Sequence, residues 1–362
     1  MTDFMTKNKE KLEQFAAMSQ AAGGRSDYVQ GGGGNTSVKL ADGLMAIKAS
    51  GYCLSDIRPN KAYTVLDYEA LRRFYYGNEP AQLADVEKLG SACAKENTKL
   101  IEGMDALRPS VEAGFHSILK TFVCHTHSVY ANLAACSTAC CEIAEKAFNG
   151  ADYTWGWVPY TDPGANLTFA IRDELRRVEK KTGKVPSVIL MQNHGIIVHD
   201  DDAERCLAIH ADANERLAQQ FGIHGDSFPA ISVRQTGEEL YEADTPYLRE
   251  ALKNCRYDYK TFIETPLYPD QMVFLIGTFF MDKEGTPAEG ECYADTKTGA
   301  LVLHMGEKKA KTITETLTAV IFIMDTVTKM GYTVSTMGEA AKSFIANWES
   351  EKYRKSLAGK KG

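Results

Sequence analysis

Residues 29–38 read VQGGGGNTSV: four consecutive glycines, Gly31 to Gly34, run straight into Asn35, Thr36 and Ser37. Glycine loses more backbone freedom on folding than any other residue, so an ordered run of four needs a reason. The flanks limit what that reason can be. KEKLEQFAAMSQAAGG carries Leu12, Phe15, Ala16, Ser19 and Ala22 at helical spacing and stops at Gly23 and Gly24. NTSVKL and GLMAIKASG then read as two short strands joined by the turn ADG. The glycines therefore lie between a helix and a strand, the reverse of the strand-then-helix order of a dinucleotide fold, and no Gly-Lys-Ser/Thr follows them as in a phosphate-binding P-loop. Two readings stay open: a flexible turn, or successive N–H groups converging on an anion, with Asn35, Thr36 and Ser37 as extra donors.

The nature of such an anion is narrowed by charge. The 362 residues carry a formal charge of −7, which argues against nucleic acid or an anionic membrane as partner but leaves room for an anionic metabolite at a local positive site. No apolar run approaches the roughly 18 residues of a membrane span, and MTDFMTKNKEKLEQF lacks the apolar heart of a signal peptide. A cytoplasmic location is expected. The nine cysteines agree: the number is odd, Cys140 and Cys141 are adjacent, and no C-x-x-C occurs, so no structural disulfide is expected.

Further along, TVLDYEALRRFYYG reads as a helix, 77–105 as mixed loop and helix, and RPSVEAGFHSILK as a helix with Ser110 at its N-cap. TFVCHTHSV reads as a strand, WVPYTDPGANL as a loop, NLTFAIRDELRRVEKKTG as a helix, VPSVILMQNHG as a buried strand, and DDDAERCLAIHADANERLAQQFG as a helix. Near residue 225 the texture becomes polar and irregular, a plausible hinge. Beyond it QMVFLIGTFF and ALVLHMG read as strands, and KTITETLTAVIFIMDTVTKMG and GEAAKSFIANWESEKYRKSL as helices; the tail AGKKG is expected to fray.

The chemistry gathers at Cys124-His125-Thr126-His127. Strand side chains alternate, so His125 and His127 point the same way and can chelate one divalent metal. His194, in Gln192-Asn193-His194-Gly195 at the exit of an apolar strand, supplies a third imidazole, and three histidines leave the open position of a catalytic site. Glu112, early in the helix after Pro109, can bind that metal or leave it and act as general base. His116 shares its face and is read as packing or hydrogen bonding; His199, His210, His224 and His304 are read as structural or surface groups. Ser50 and Gly51, in a second small-residue turn, and Ser110 at a helix start can add donors to the same anion as the glycines.

These segments occur in a familiar order. GGNTSVK, KASG, PSVE, HTH, PYTDPG and NHGIIVH resemble, over roughly residues 8–222, the class II aldolase/adducin family, which includes the L-fuculose- and L-rhamnulose-phosphate aldolases and the L-ribulose-phosphate 4-epimerases. The resemblance implies zinc (with manganese or cobalt as alternatives) on His125, His127 and His194, with Glu112 as acid/base and resting-state ligand. It implies a phosphate pocket of Gly34, Asn35, Ser50, Gly51 and Ser110, and a proton donor in Tyr160, which family aldolases lend across a subunit interface. A homotetramer acting on a phosphorylated sugar is implied, as is a three-layer α/β/α fold with a largely antiparallel sheet over residues 1–225, followed by a C-terminal α/β extension over 226–362.

Three departures matter. Val111 stands where family aldolases often carry a second serine, the connection from Glu112 to His125 is short, and about 130 residues follow the family domain. They suggest the long subgroup seen in bifunctional aldolase/dehydrogenase chains, without its dinucleotide-binding half. The expected reaction is retro-aldol cleavage of a ketose 1-phosphate to dihydroxyacetone phosphate and a short aldehyde. The rivals are 4-epimerisation, dehydration or decarboxylation on the same site, and an adducin-like binding module, which would lose the histidines this chain keeps.

Overall fold

The structure is a computed structural model and describes residues 3–347. The end of the last expected helix and the AGKKG tail lie outside the described residues.

The first eight strands form one sheet. They are β1 (Asn35–Lys39), β2 (Leu44–Lys48), β3 (Tyr63–Asp67), β4 (Thr98–Lys99), β5 (Phe122–Thr126), β6 (Trp155–Val158), β7 (Val188–Met191) and β8 (Gly195–Asp200). Their order is β4-β3-β2-β1-β5-β8-β7-β6, antiparallel throughout except for the β6–β7 pair. Strand alternation divides the apolar side chains between two faces. Phe122 and Cys124 of β5, Ile196 and Val198 of β8, and Val188 and Leu190 of β7 join the core under helices Lys9–Gly23, Val129–Ala135 and Ala203–Gln219. Val123, Ile197 and Ile189 face the other way, onto Phe115, Phe169 and Leu175 of helices Ala113–Ile118 and Ala165–Thr182. The result is the expected three-layer α/β/α arrangement.

Lys39, at the end of β1, fixes one of these helices. Its buried ammonium donates to the carbonyls of His116 (2.9 Å), Lys120 (2.6 Å) and Leu119. That places a cation on the C-terminal end of Ala113–Ile118, where the helix dipole favours it.

Residues beyond 225 add a second sheet of β9 (Val233–Gly237), β10 (Leu240–Ala243), β11 (Phe279–Met281), β12 (Cys292–Asp295) and β13 (Ala300–His304), in the order β11-β12-β13-β10-β9. Helix Glu307–Lys329 packs on Val129–Ala135 and on Pro269–Leu275. One apolar cluster runs from Phe15 and Tyr130 through Phe228 and Tyr268 to Leu317 and Phe322.

Four local expectations need correction. Tyr63–Asp67 is a strand, because Thr64, Val65 and Leu66 pair with β2, and the helix starts at Tyr68 with Asp67 accepting the Ala70 amide at 2.9 Å. Trp157 and Val158, expected to open a loop, instead end the strand Trp155–Val158 that pairs with β7. QMVFLIGTFF is mostly the helix Pro269–Leu275, with a proline at its start, followed by the short β11. Ser110 is not the N-cap of its helix: Ala113–Ile118 is preceded by Glu112 in that position, and Ser110 Oγ instead accepts the Glu112 amide at 3.3 Å. The polar stretch after 225 folds as the β9–β10 hairpin. All nine cysteines are free, and no helix among the described residues is long and apolar enough to cross a membrane.

Candidate metal centre

His125 lies on β5, in register with Asn35 of β1 and Ile197 of β8, at the centre of the large sheet. His127 follows directly after the strand. His194 ends the turn between β7 and β8, where Asn193 has φ 51° and Gly195 φ 155°. Asn193 holds this turn by donating to the carbonyls of Leu267 and Ser335, each at 2.8 Å. A Cβ on Gly195 would stand 2.3 Å from the Thr126 carbonyl oxygen, so the turn can approach β5 this closely because residue 195 has no side chain.

These elements bring together three imidazoles that are 69 residues apart at most. Each pair of ring centroids is separated by 5.0 Å, and the ligating nitrogens all lie within 4.8 Å of one another. The far nitrogens set the tautomers. His125 Nδ1–H donates to the Ile196 carbonyl at 3.0 Å, and His127 Nδ1–H donates to Asp270 Oδ2 at 2.5 Å. Each ring then presents an Nε2 lone pair, and these two atoms are 3.2 Å apart. Two acceptors at that separation have no proton to share, and a cation between them removes the repulsion. Burial, opposed by Glu112 and aided by His127, pushes His125 down to about 3, so the ring is the neutral form a metal takes.

Glu112 completes the constellation. Its Oε1 is 3.3 Å from His194 Nε2 and its Oε2 is 3.7 Å from His125 Nε2. Glu112 Oε1 and His194 Nδ1 are buried without a hydrogen-bond partner among the described residues, and a cation beside the carboxylate would satisfy the first. The donor set, three imidazoles with an adjacent carboxylate, suits zinc, and imidazole also accepts manganese or cobalt.

A line of hydrogen bonds runs behind the carboxylate. Asn35 Nδ2 donates to Glu112 Oε2 (2.5 Å) and Ser110 Oγ (3.1 Å), and Asn35 Oδ1 accepts from His116 Nε2. His116 Nδ1 is then left to accept from Ser37 Oγ at 2.7 Å. Burial keeps His116 well below the usual histidine range, so it stays neutral and hydrogen-bonded, as the sequence reading has it.

The glycine loop, the Ser50–Gly51 turn and Ser110 do converge. Ala49 bridges to Pro109, Ser50 N donates to the Arg108 carbonyl at 3.0 Å, and buried Lys48 donates to the carbonyls of Gly32 (3.2 Å) and Tyr52 (2.8 Å). Several of the donors expected for an anion are engaged within the protein, however. The Gly31 amide donates to Glu315 Oε2 at 3.0 Å, the Gly33 amide to the Gln30 carbonyl at 3.0 Å, and the Asn35 amide group to Glu112 and Ser110.

His125 is fully buried, whereas His194, His127, Glu112 and Ser110 retain 3, 5, 6 and 8 % of their surface. Gly32, Ser50 and Tyr52 in the neighbouring turns are half-exposed. Tyr160 stands apart. It packs with Met272, Met337, Ala341 and Ile345 beside a cleft of about 580 Å³ also lined by Asp162, Asn166 and Phe169. No hydrogen bond or ring contact among the described residues joins it to the histidines. Asp270, in contrast, was not singled out from sequence; Pro269-Asp270 as a helix start, proline first and an acid in the opening turn, is the signal that marks its position.

The chain belongs to the class II aldolase and adducin family. The family's model, described as Class II Aldolase and Adducin N-terminal domain, matches residues 13–221, more than half of the protein. Solved structures similar to it include the N-terminal class II aldolase domain of a conserved protein from Thermoplasma acidophilum, at 20% identity and TM-score 0.47 over 57% of this chain and 92% of that one. An aldolase II superfamily protein from Pseudomonas syringae is 14% identical with TM-score 0.42, covering 61% of this chain and 76% of that one. An L-fuculose 1-phosphate aldolase from Glaciozyma antarctica is 12% identical with TM-score 0.39, again over 61% and 76%. A search of curated proteins gives no match.

Proposed function

We propose that the protein is a metal-dependent aldolase that cleaves a ketose 1-phosphate into dihydroxyacetone phosphate and a short aldehyde. The observation that carries this reading is the convergence of the His125, His127 and His194 nitrogens within 4.8 Å, with the Glu112 carboxylate 3.3 Å from one of them. A divalent cation held by the three imidazoles supplies Lewis-acid stabilisation for the charge that a ketose oxygen gains when the C3–C4 bond breaks.

The remaining roles belong to the chain. As the C3–C4 bond breaks, the C4 hydroxyl proton passes to the group serving the aldehyde's oxygen, the bonding pair passes to C3, and Glu112 delivers a proton there. Asn35 fixes the orientation of Glu112 through Oε2, leaving Oε1 facing the site. Gly34, Asn35, Ser50, Gly51 and Ser110 are proposed to border the substrate phosphate, which orients the reacting carbons through binding energy far from the bond broken. Of that set Gly51 is exposed and Ser50 half-exposed. Tyr160 is proposed to serve the departing aldehyde's oxygen from a neighbouring subunit of a homotetramer. Residues 1–225 are proposed as the catalytic domain and 226–362 as its extension.

The test is to incubate zinc-loaded protein with a panel of ketose 1-phosphates and follow dihydroxyacetone phosphate. Its release supports cleavage. Interconversion of pentulose phosphates without release would replace this reading with 4-epimerisation, and metal and ligand binding without turnover would replace it with a binding module.

A further inference from the structure

The hydrogen bond on His127 comes from beyond the family's matched region. Asp270 sits in the first turn of helix Pro269–Leu275, is fully buried, and places Oδ2 2.5 Å from His127 Nδ1. Tyr268, also fully buried, meets the His127 ring edge-on at 6.3 Å. The glycine run closes the third side. A Cβ on Gly33 would stand 2.3 Å from Asp270 Oδ2 and 3.0 Å from His127 Nδ1. Gly33 has no left-handed φ to explain its identity; what it lacks is room, and the atoms that fill the room are this pair.

We infer that Asp270 is a positioning residue of the metal centre, fixing His127 as an Nε2 ligand, and that Gly33 is glycine because a side chain there would push the carboxylate off the ring. The inference rests on the reading of the histidine triad as a metal site. A carboxylate on the far nitrogen of a ligating histidine locks the tautomer, orients the ring and raises its basicity. Without it, the His127 ring can carry a proton on Nε2, where it blocks ligation. The C-terminal extension thereby contributes a group to the centre as well as packing against its domain.

The experiment measures metal affinity in the full-length protein by competition with a chromophoric chelator, using Co²⁺ and Zn²⁺. Wild type is compared with Asp270→Ala, Asp270→Glu and Gly33→Ala, with circular dichroism and melting of each apo-protein as the folding control. Asp270→Ala is expected to bind about 10- to 100-fold more weakly. Gly33→Ala, which keeps the carboxylate but displaces it, is expected to follow Asp270→Ala, and Asp270→Glu to recover part of the loss. Long-range ¹H–¹⁵N spectra of the wild-type apo-protein are expected to show His127 protonated at Nδ1, a readout that needs no variant to fold. Unchanged affinity in folded Asp270→Ala, or an Nε2–H tautomer in wild type, would overturn the role of Asp270. Failure of wild type to bind one equivalent of either metal would instead overturn the metal reading beneath it.

Discussion

Gly34 lies so close to His125 that a Cβ on it would stand 2.5 Å from the His125 carbonyl oxygen, and its backbone has φ 64°. Alanine at this position meets both a steric clash and the left-handed backbone, each costly. Gly34→Ala is expected to destabilise the protein by about 2 kcal/mol or more and to weaken metal binding, because the atom that must move belongs to the central ligand strand. Urea unfolding and metal titration of the same variant check both effects.

Asn35 joins three groups that need partners: Glu112, Ser110 and His116. Asn35→Ala leaves Glu112 Oε2 and His116 Nε2 buried without this contact, at a cost of about 1–3 kcal/mol. Since the bond it removes aims the carboxylate, turnover is expected to fall by at least tenfold with a smaller change in KM. Steady-state kinetics on the substrate found in the aldolase assay decide this; an effect confined to KM would make Asn35 a substrate-binding group instead.

Stability should decline on acidification. His199 and His210 are fully buried, and burial pushes both down to about 3. In the unfolded chain an imidazole titrates near 6.5. Below that pH the unfolded chain binds protons that the folded chain excludes. Each residue therefore removes up to about 1.4 kcal/mol per pH unit as the pH falls from about 6.5 toward about 3. Urea melts between pH 7.5 and 5 measure the slope, and His199→Gln is expected to reduce it.

Lys39 supplies hydrogens to three carbonyls at the end of helix Ala113–Ile118. Lys39→Met fills the same volume but leaves those carbonyls without their donor, a loss of about 2–4 kcal/mol. The ammonium is charged against strong desolvation, which draws its pKa well below the usual lysine range. A Lys39→Met protein as stable as wild type would mean that water substitutes for the amine.

Removing the metal should lower the melting temperature without unfolding the chain at room temperature, because His125 already sits on a paired strand and His127 and His194 directly adjoin strands of the same sheet. At free metal 100-fold above its Kd the bound ion contributes about 2.7 kcal/mol. Melting scans after chelation, and again after adding zinc, read this directly; the shift should vanish in His194→Ala.

Much of the fold is legible in the sequence where periodicity and pairing agree. Strand alternation carried through FVCHTH aims His125 and His127 together, and the β7–β8 turn delivers His194 to them. Reading fails where tertiary pairing overrides local pattern. Tyr63–Asp67 places Leu66 in the apolar pattern of Leu71 and Phe74 of the following helix, but Tyr63, Thr64 and Val65 favour a strand and pair with β2. Pro269–Leu275 is apolar enough for a strand, yet Pro269 and Asp270 start a helix. The site shows the same division. Residue types and spacing point to Glu112 and the histidines, whereas the commitments of Asn35 and the arrival of Asp270 depend on contacts between residues 77 and 143 positions apart, which no local pattern encodes.

Helix Glu307–Lys329 is buried along most of its length, from Ala310 to Val327, and its apolar side chains share one cluster with Tyr130 and Phe15. Cutting the chain at residue 225 would strip that cover from Val129–Ala135 and leave greasy surface facing water. The aldolase-like region is thus poorly suited to life as an excised fragment. A calorimetric scan of the intact protein should trace one endotherm rather than two, the signature of halves that melt as a unit.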